Sequence, residues 1–120
     1  MTATLPQALE GLDVETQPQK VRRRSRDFYW YSPVLKRRLD HVTADMVVTP
    51  KSEAEIAQVL AHAFATDTAV TVRGAGTGNY GQAMPLKGGI VLDLSALNQV
   101  LHVEGSVGRF AAGAVLRDID

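Results

Sequence analysis

Val72-Arg73-Gly74-Ala75-Gly76-Thr77-Gly78-Asn79-Tyr80-Gly81 is the stretch on which the reading of this chain turns. Glycines at 74, 76, 78 and 81 remove Cβ atoms along one run of backbone. Successive N–H groups can then converge on one concavity, the way backbone nests hold phosphate oxygens. Thr77 and Asn79 add side-chain donors. The competing reading is a flexible surface loop. Gly76-x-Gly78-x-x-Gly81 has the spacing of the Rossmann dinucleotide fingerprint, with Asp93 beyond it in the place of a ribose-binding acid. That fingerprint requires a helix to open at the loop. Here six residues, Pro85 among them, separate Gly81 from Gly88-Gly89, which leaves no room for a crossover helix before the next apolar run at Ile90. No Gly-Lys-Ser or Gly-Lys-Thr occurs, so a Walker A loop is excluded. The pattern predicts a phosphate-cradling loop strung between strands.

Outward from the loop, the flanking residues predict strands and one helix. Met46-Val47-Val48-Thr49 reads as a short strand stopped by Pro50. Ser52 and Glu55 form the signature of a capping box. Ile56, Val59, Leu60, Ala63 and Phe64 then follow at helical spacing and predict one apolar stripe on a helix over 52–66. Val70-Thr71-Val72-Arg73 is a second strand. Strand, helix, strand is a βαβ unit, so Met46–Thr49 and Val70–Arg73 are expected to pair in parallel. After the loop, Ile90–Asp93 predicts a third strand and Ser95–Asn98 a turn of helix. Val100–Val103 and Arg109–Ala112 predict a hairpin, and Val115–Asp120 the start of a helix. Asp93 is expected to cap the turn that follows it.

These segments in order resemble the start of the FAD-binding domain shared by vanillyl-alcohol-oxidase-type (PCMH-type) enzymes. The resemblance is nearest to the glycolate oxidase/D-lactate dehydrogenase branch. It is carried by Val48-Thr49-Pro50, Ser52 to Glu55, Arg73 to Thr77, Gly88 to Leu94, Leu97-Asn98 and Ala112 to Val115. It implies an α+β fold, the first subdomain of a PCMH/VAO-type domain, with a βαβ unit in a mixed sheet and FAD held between two subdomains. By position, Gly74 to Gly78 would wrap the pyrophosphate through backbone N–H groups. Pro50 would lie near the adenine end, and Ala112-Gly113-Ala114 would approach the flavin. The cofactor-binding residues implied are Pro50, Arg73, Gly74, Ala75, Gly76, Thr77, Gly78, Asn79, Gly81 and Gly113. Some members carry in this loop a histidine bonded covalently to the flavin. Thr77 stands at the matching position here, so FAD is expected to be non-covalent as far as this segment shows. The family's FAD domain runs on well past 120 residues and a substrate domain follows it. The chain therefore reads as a front portion, residues 42–120, preceded by an N-terminal extension, residues 1–41. The family's catalytic acid/base residues have no positions to fall on.

Composition narrows the alternatives. A chain of 120 residues has room for one domain at most. Thirteen basic and 13 acidic residues balance, so no global attraction to nucleic acid or anionic membrane follows. The absence of cysteine excludes disulfides and thiolate sites and fits a cytoplasmic protein. No signal peptide or membrane-spanning run is present. His41, His62 and His102 are scattered, without the spacing of a metal site. Charge is uneven: residues 20–38 hold eight basic residues and one acid, Asp27. Pro33 is placed to open a helix over Val34–Leu39, and residues 1–19 read as a mobile arm.

Phe28-Tyr29-Trp30-Tyr31 beside this basic run can stack on bases, lie on a membrane surface, or pack on the domain. Packing is the preferred reading, with Arg22-Arg23-Arg24 solvated. Arg73 can meet phosphate or hold the loop through carbonyls; the second is favoured slightly. The function expected is FAD binding within an oxidoreductase that oxidises a 2-hydroxy acid or related alcohol. Its partners are FAD and a small-molecule substrate, with no nucleic acid. The alternative is a small non-catalytic module that binds nucleic acid or a protein through residues 20–38. A third possibility is the same fold with another reaction, such as the reductase of cell-wall precursor synthesis.

Overall fold

The computed structural model describes residues 5–119. Residues 1–4 of the expected arm and Asp120 of the expected last helix lie outside the described residues. The elements are β1 (Val14–Glu15), α1 (Pro18–Arg23), α2 (Pro33–Leu39), β2 (Met46–Val48), α3 (Glu53–Ala65), β3 (Val70–Arg73), β4 (Ile90–Asp93), β5 (Val100–Glu104), β6 (Val107–Phe110) and α4 (Leu116–Ile119), with single 3-10 turns at Gln7–Leu9 and Tyr29–Tyr31.

A four-stranded sheet has the order β1-β2-β4-β3. β4 pairs in parallel with both β2 and β3, and β1 pairs antiparallel with β2. The sheet is therefore mixed and the fold α+β, as expected. One expectation is corrected: Met46–Thr49 and Val70–Arg73 run parallel but are not neighbours, because β4 lies between them. The reason is burial. A central parallel strand is covered on both faces and must be apolar throughout. Ile90, Val91 and Leu92 meet that demand, each at most 2% exposed, whereas Val72 is 54% exposed on the edge strand.

The two sheet faces are covered differently. Val59 and Ala63 of α3 pack with Leu9, Val48, Ile90, Leu92 and Leu94 on one face. Val21 of α1 packs with Ala44, Val47 and Val91 on the other. Ser52 caps α3 by accepting from the Glu55 N–H at 3.2 Å. Ser32 caps α2 by accepting from Leu35, with Pro33 at its first position. The apolar stripe expected on α3 is wider than the buried face. Leu60 is 45% and Phe64 91% exposed, because the Ile56/Val59/Ala63 line is the one turned to the sheet.

The expected mobile arm is also corrected for the residues described. Val14–Glu15 pairs with β2, and Leu9 is fully buried. A two-residue strand is too short for its periodicity to be read from sequence. Ser95-Ala96 forms a turn and not a turn of helix. The hairpin β5–β6 closes at Gly105-Ser106. Its second strand starts at Val107 and not Arg109, because the tight two-residue turn at Gly105 brings the return strand forward.

Candidate functional site

The glycine loop leaves the carboxyl end of β3 and returns to β4. Gly74, Ala75 and Thr77 line a cleft of about 280 Å3 whose other wall is Ala112, Gly113, Ala114 and the first residues of α4. Two segments nominated separately from the sequence thus face each other. Gly113 is buried at that wall because the chain crosses the turn after β4 there. Its N–H donates to the Leu97 carbonyl at 2.8 Å, and a Cβ would overlap the Leu94 carbonyl.

Among the described residues, no N–H group of residues 74–79 donates to a protein acceptor. Gly76 has φ +69°, a conformation that L side chains avoid, between neighbours of negative φ. Such sign alternation is what a backbone nest requires.

The other nominated residues sit around this cleft and not in it. Gly76 backs onto Arg73, whose guanidinium a Cβ at position 76 would overlap. Arg73 Nη1 donates to the carbonyls of Arg24 (3.1 Å) and Arg26 (2.5 Å). Burial pulls the Arg73 pKa below its ordinary value, opposed by Asp93 nearby, and the guanidinium stays charged. Gly78 and Gly81 face the N-terminal segment. The Gly78 carbonyl accepts from the Phe28 N–H at 2.8 Å, and the Gly81 N–H donates to Asp27 Oδ2 at 2.8 Å. Asn79 is exposed outside the cleft lining. Pro50 is fully buried at the carboxyl end of β2.

Asp93 ends β4 and accepts from the Ser95 N–H at 3.0 Å through Oδ1, so it caps the turn as expected. Its Oδ2 is paired with Arg24. That engagement leaves no free carboxylate for a ribose. Arg24 is consequently not part of a purely solvated run. Arg26 also turns inward, toward the Tyr29 hydroxyl and the Asp40 carbonyl. Of the four aromatics, Tyr29 is buried, while Phe28, Trp30 and Tyr31 are 41%, 47% and 68% exposed. The role of Asp27 and Phe28 in holding the loop was not read from the sequence. The signal for it was Asp27 standing as the one acid among eight bases.

Residues 44–120 match the FAD binding domain family. The chain belongs to that family. It is 36% identical over 73 residues to an uncharacterized FAD-linked oxidoreductase of Mycobacterium tuberculosis, covering 59% of this chain and 16% of that protein. It is 32% identical over 79 residues to an uncharacterized oxidoreductase of the Rhodococcoides fascians fasciation locus, covering 66% and 18%. The FAD binding domain described here thus spans less than a fifth of the length of these relatives. Among solved structures, alkyldihydroxyacetonephosphate synthase superposes with a TM-score of 0.63 at 17% identity, covering 76% of this chain and 19% of that one. CrmK, a flavoenzyme of caerulomycin biosynthesis, does so with 0.63 at 18% identity, covering 89% and 20%. These likenesses establish the fold as that of the PCMH/VAO-type FAD-binding flavoenzymes, and the family's cofactor is FAD. No described helix is long and apolar enough to cross a membrane.

The residues present fit one part of that cofactor. Unpartnered N–H groups beside a small cleft suit an anion. The cleft has a volume of about 280 Å3 and opens to solvent beside the loop.

Proposed function

We propose that this chain supplies the pyrophosphate-holding part of an FAD-linked oxidoreductase that oxidises a 2-hydroxy acid or related alcohol. The observation that carries the reading is the cleft in which Gly74, Ala75 and Thr77 face Gly113 beside N–H groups that have no protein acceptor. Bound FAD supplies the hydride-accepting chemistry. The residues described here bind and orient. Backbone N–H groups of Gly74 to Asn79 hold the pyrophosphate, the Ala112-Gly113-Ala114 segment approaches the flavin side, and Pro50 closes the adenine end. Gly76, Gly81 and Arg73 act by shaping the loop. Thr77 offers no imidazole for a covalent bond, which supports non-covalent FAD in this segment.

The 2-hydroxy acid is suggested by the likeness of the ordered motifs to the glycolate oxidase/D-lactate dehydrogenase branch. Residues 42–120 then form the nucleotide-binding portion of a larger domain, 1–41 its N-terminal extension, and the catalytic acid/base residues lie outside both. The cysteine-free composition supports a cytoplasmic location. The basic-aromatic run does not behave as a free nucleic-acid surface, since Arg24, Arg26 and Tyr29 are engaged within the fold. The test is to purify the full-length protein that carries these residues, release its chromophore by heat denaturation and identify it. FAD recovered in the filtrate, with anaerobic bleaching by 2-hydroxy acids, is expected. A colourless full-length protein that takes up no FAD would sink the reading. Bleaching only by another substrate class would keep the cofactor and refute the substrate.

A further inference from the structure

We propose that Asp27 is a positioning residue for the glycine loop: its carboxylate fixes the loop's exit and thereby keeps the N–H groups of residues 74–79 free for the cofactor's anion. The proposal rests on the FAD reading above for its ligand, and on geometry of its own for the positioning.

Asp27 is 5% exposed. A buried carboxylate is unfavourable unless its oxygens are hydrogen-bonded, and both of these are. Oδ1 accepts from the Tyr29 N–H at 2.8 Å, and Oδ2 accepts from the Gly81 N–H at 2.8 Å. The side chain therefore ties its own turn to a residue 54 positions away. One residue on, the Phe28 N–H donates to the Gly78 carbonyl at 2.8 Å. Loop positions 78 and 81 are thus held by consecutive residues of the N-terminal segment. Gly78 also packs close to the same carboxylate, since a Cβ there would lie 3.7 Å from Oδ2.

The residue type matters. An ionised carboxylate offers two acceptor oxygens and no donor, so each oxygen takes one of the two backbone N–H groups. Bonds of this kind are charge-assisted and among the stronger ones available. The entry to the loop is held separately, by Arg73 on the carbonyls of Arg24 and Arg26. One segment, residues 24–28, therefore clamps both ends of the loop. Residues 74–79 between the clamps have no protein acceptor for their N–H groups. Asp27 contributes by taking Gly81 out of that set and fixing where the cradle stops.

Asp27→Asn is the test, because it keeps the size and replaces one acceptor oxygen with an NH2 donor, so one of the two N–H groups loses its acceptor. Two readouts are taken on the full-length protein, amide hydrogen exchange in its FAD-free form and FAD affinity by fluorescence titration. Val59→Ala, a core change remote from the loop, serves as a control for general destabilisation. Asp27→Asn should remove exchange protection at Gly81 or at Tyr29, whichever N–H the new NH2 group faces, and weaken FAD on the order of tenfold, the loss of one buried charge-assisted hydrogen bond. Val59→Ala should lower Tm while leaving FAD affinity within about twofold, as distant independent sites do. Unchanged exchange at both Gly81 and Tyr29, with unchanged FAD affinity, in Asp27→Asn would overturn the proposal. So would equal weakening in both variants at equal loss of Tm. Should Asp27→Asn fail to fold, exchange in the wild type decides: Gly81 is expected to be protected and Ala75 to Asn79 fast, and uniform exchange along the loop refutes the clamp. A full-length wild-type protein that binds no FAD would count against the cofactor reading, while the exchange arm still rules on Asp27.

Discussion

The guanidinium of Arg73 occupies the space behind Gly76, where any side chain at position 76 would have to go. Gly76 also has φ +69°. The two constraints act together, since the backbone angle aims the absent Cβ at Arg73 and away from the cleft. A Gly76→Ala change costs about 1–2 kcal/mol for the left-handed conformation alone, and it must displace Arg73 from the carbonyls of Arg24 and Arg26. Gly76→Val is worse, because a β-branched residue is least tolerant there. FAD retention is expected to fall at least several-fold in Gly76→Ala and to be lost in Gly76→Val. Wild-type flavin content in purified Gly76→Val would refute the cradle.

Arg73 separates two roles for a cation beside a phosphate loop. As placed, it serves carbonyls and not the cleft. Arg73→Ala would leave those carbonyls short of a donor, a loss of roughly 2 kcal/mol. For a domain of this size that is a Tm drop of roughly 5–10 °C. FAD affinity should weaken because the loop loosens, yet its salt dependence should match the wild type, since no direct charge contact has been removed. A clearly shallower dependence on salt in Arg73→Ala would show that the guanidinium meets the phosphate.

Much of this arrangement was legible in the sequence where the signal was local. Ser52 with Glu55, Pro33 after Ser32, and the β-branched runs at 70–73 and 90–93 each fixed an element through chemistry within a few residues. Asp93 was read correctly for the same reason, its partner Ser95 being two positions away. The order of strands was not legible. β4 takes the centre of the sheet because it is apolar on both faces, and that advantage is realised only when α1 and α3 cover those faces from far along the chain. Asp27 was hidden likewise: its partner Gly81 is remote, and the surrounding bases suggested a solvated run. Leu60 and Phe64 belong to the apolar stripe by spacing, which reports which residues share a helix face, while only packing decides how much of that face is covered.

Acid should loosen the α2 corner through Asp40. Its carboxyl is held below the usual carboxylate range by the Lys36 ammonium at 2.7 Å, and then by the Tyr29 hydroxyl. A carboxylate with a lowered folded-state pKa contributes stability that is present above its unfolded value and lost as pH falls through the folded one. The loss is therefore expected below about pH 4, the ordinary carboxylate value. Lys36 is raised by the same contact, and Tyr29 by burial and then Asp40. Their contributions persist below about pH 10 and fade above it. Asp40→Asn should flatten the acid limb of a plot of Tm against pH, and it should shrink the alkaline limb. The pair is exposed, so the effect is small. Parallel wild-type and Asp40→Asn profiles between pH 2 and 5 would contradict this assignment.

The 120-residue chain by itself is expected to bind FAD weakly. The cleft beside the glycine loop suits the anion, and the residues opposite it are few. An isoalloxazine ring left in water forgoes burial, which stabilises by about 25 cal/mol per Å2 of apolar surface. The hairpin tells the same story from the protein's side. Val100, Leu101, Val103 and Val107 are each more than half exposed, as is Leu116 beyond them. Neighbouring apolar residues exposed in such number mark a surface that binds something or self-associates. Isothermal titration of the chain with FAD, alongside sedimentation of the free chain, reads both consequences. Weak or undetectable heat together with self-association is expected. Tight one-to-one binding by a well-behaved monomer would show that these residues already form a complete cofactor site.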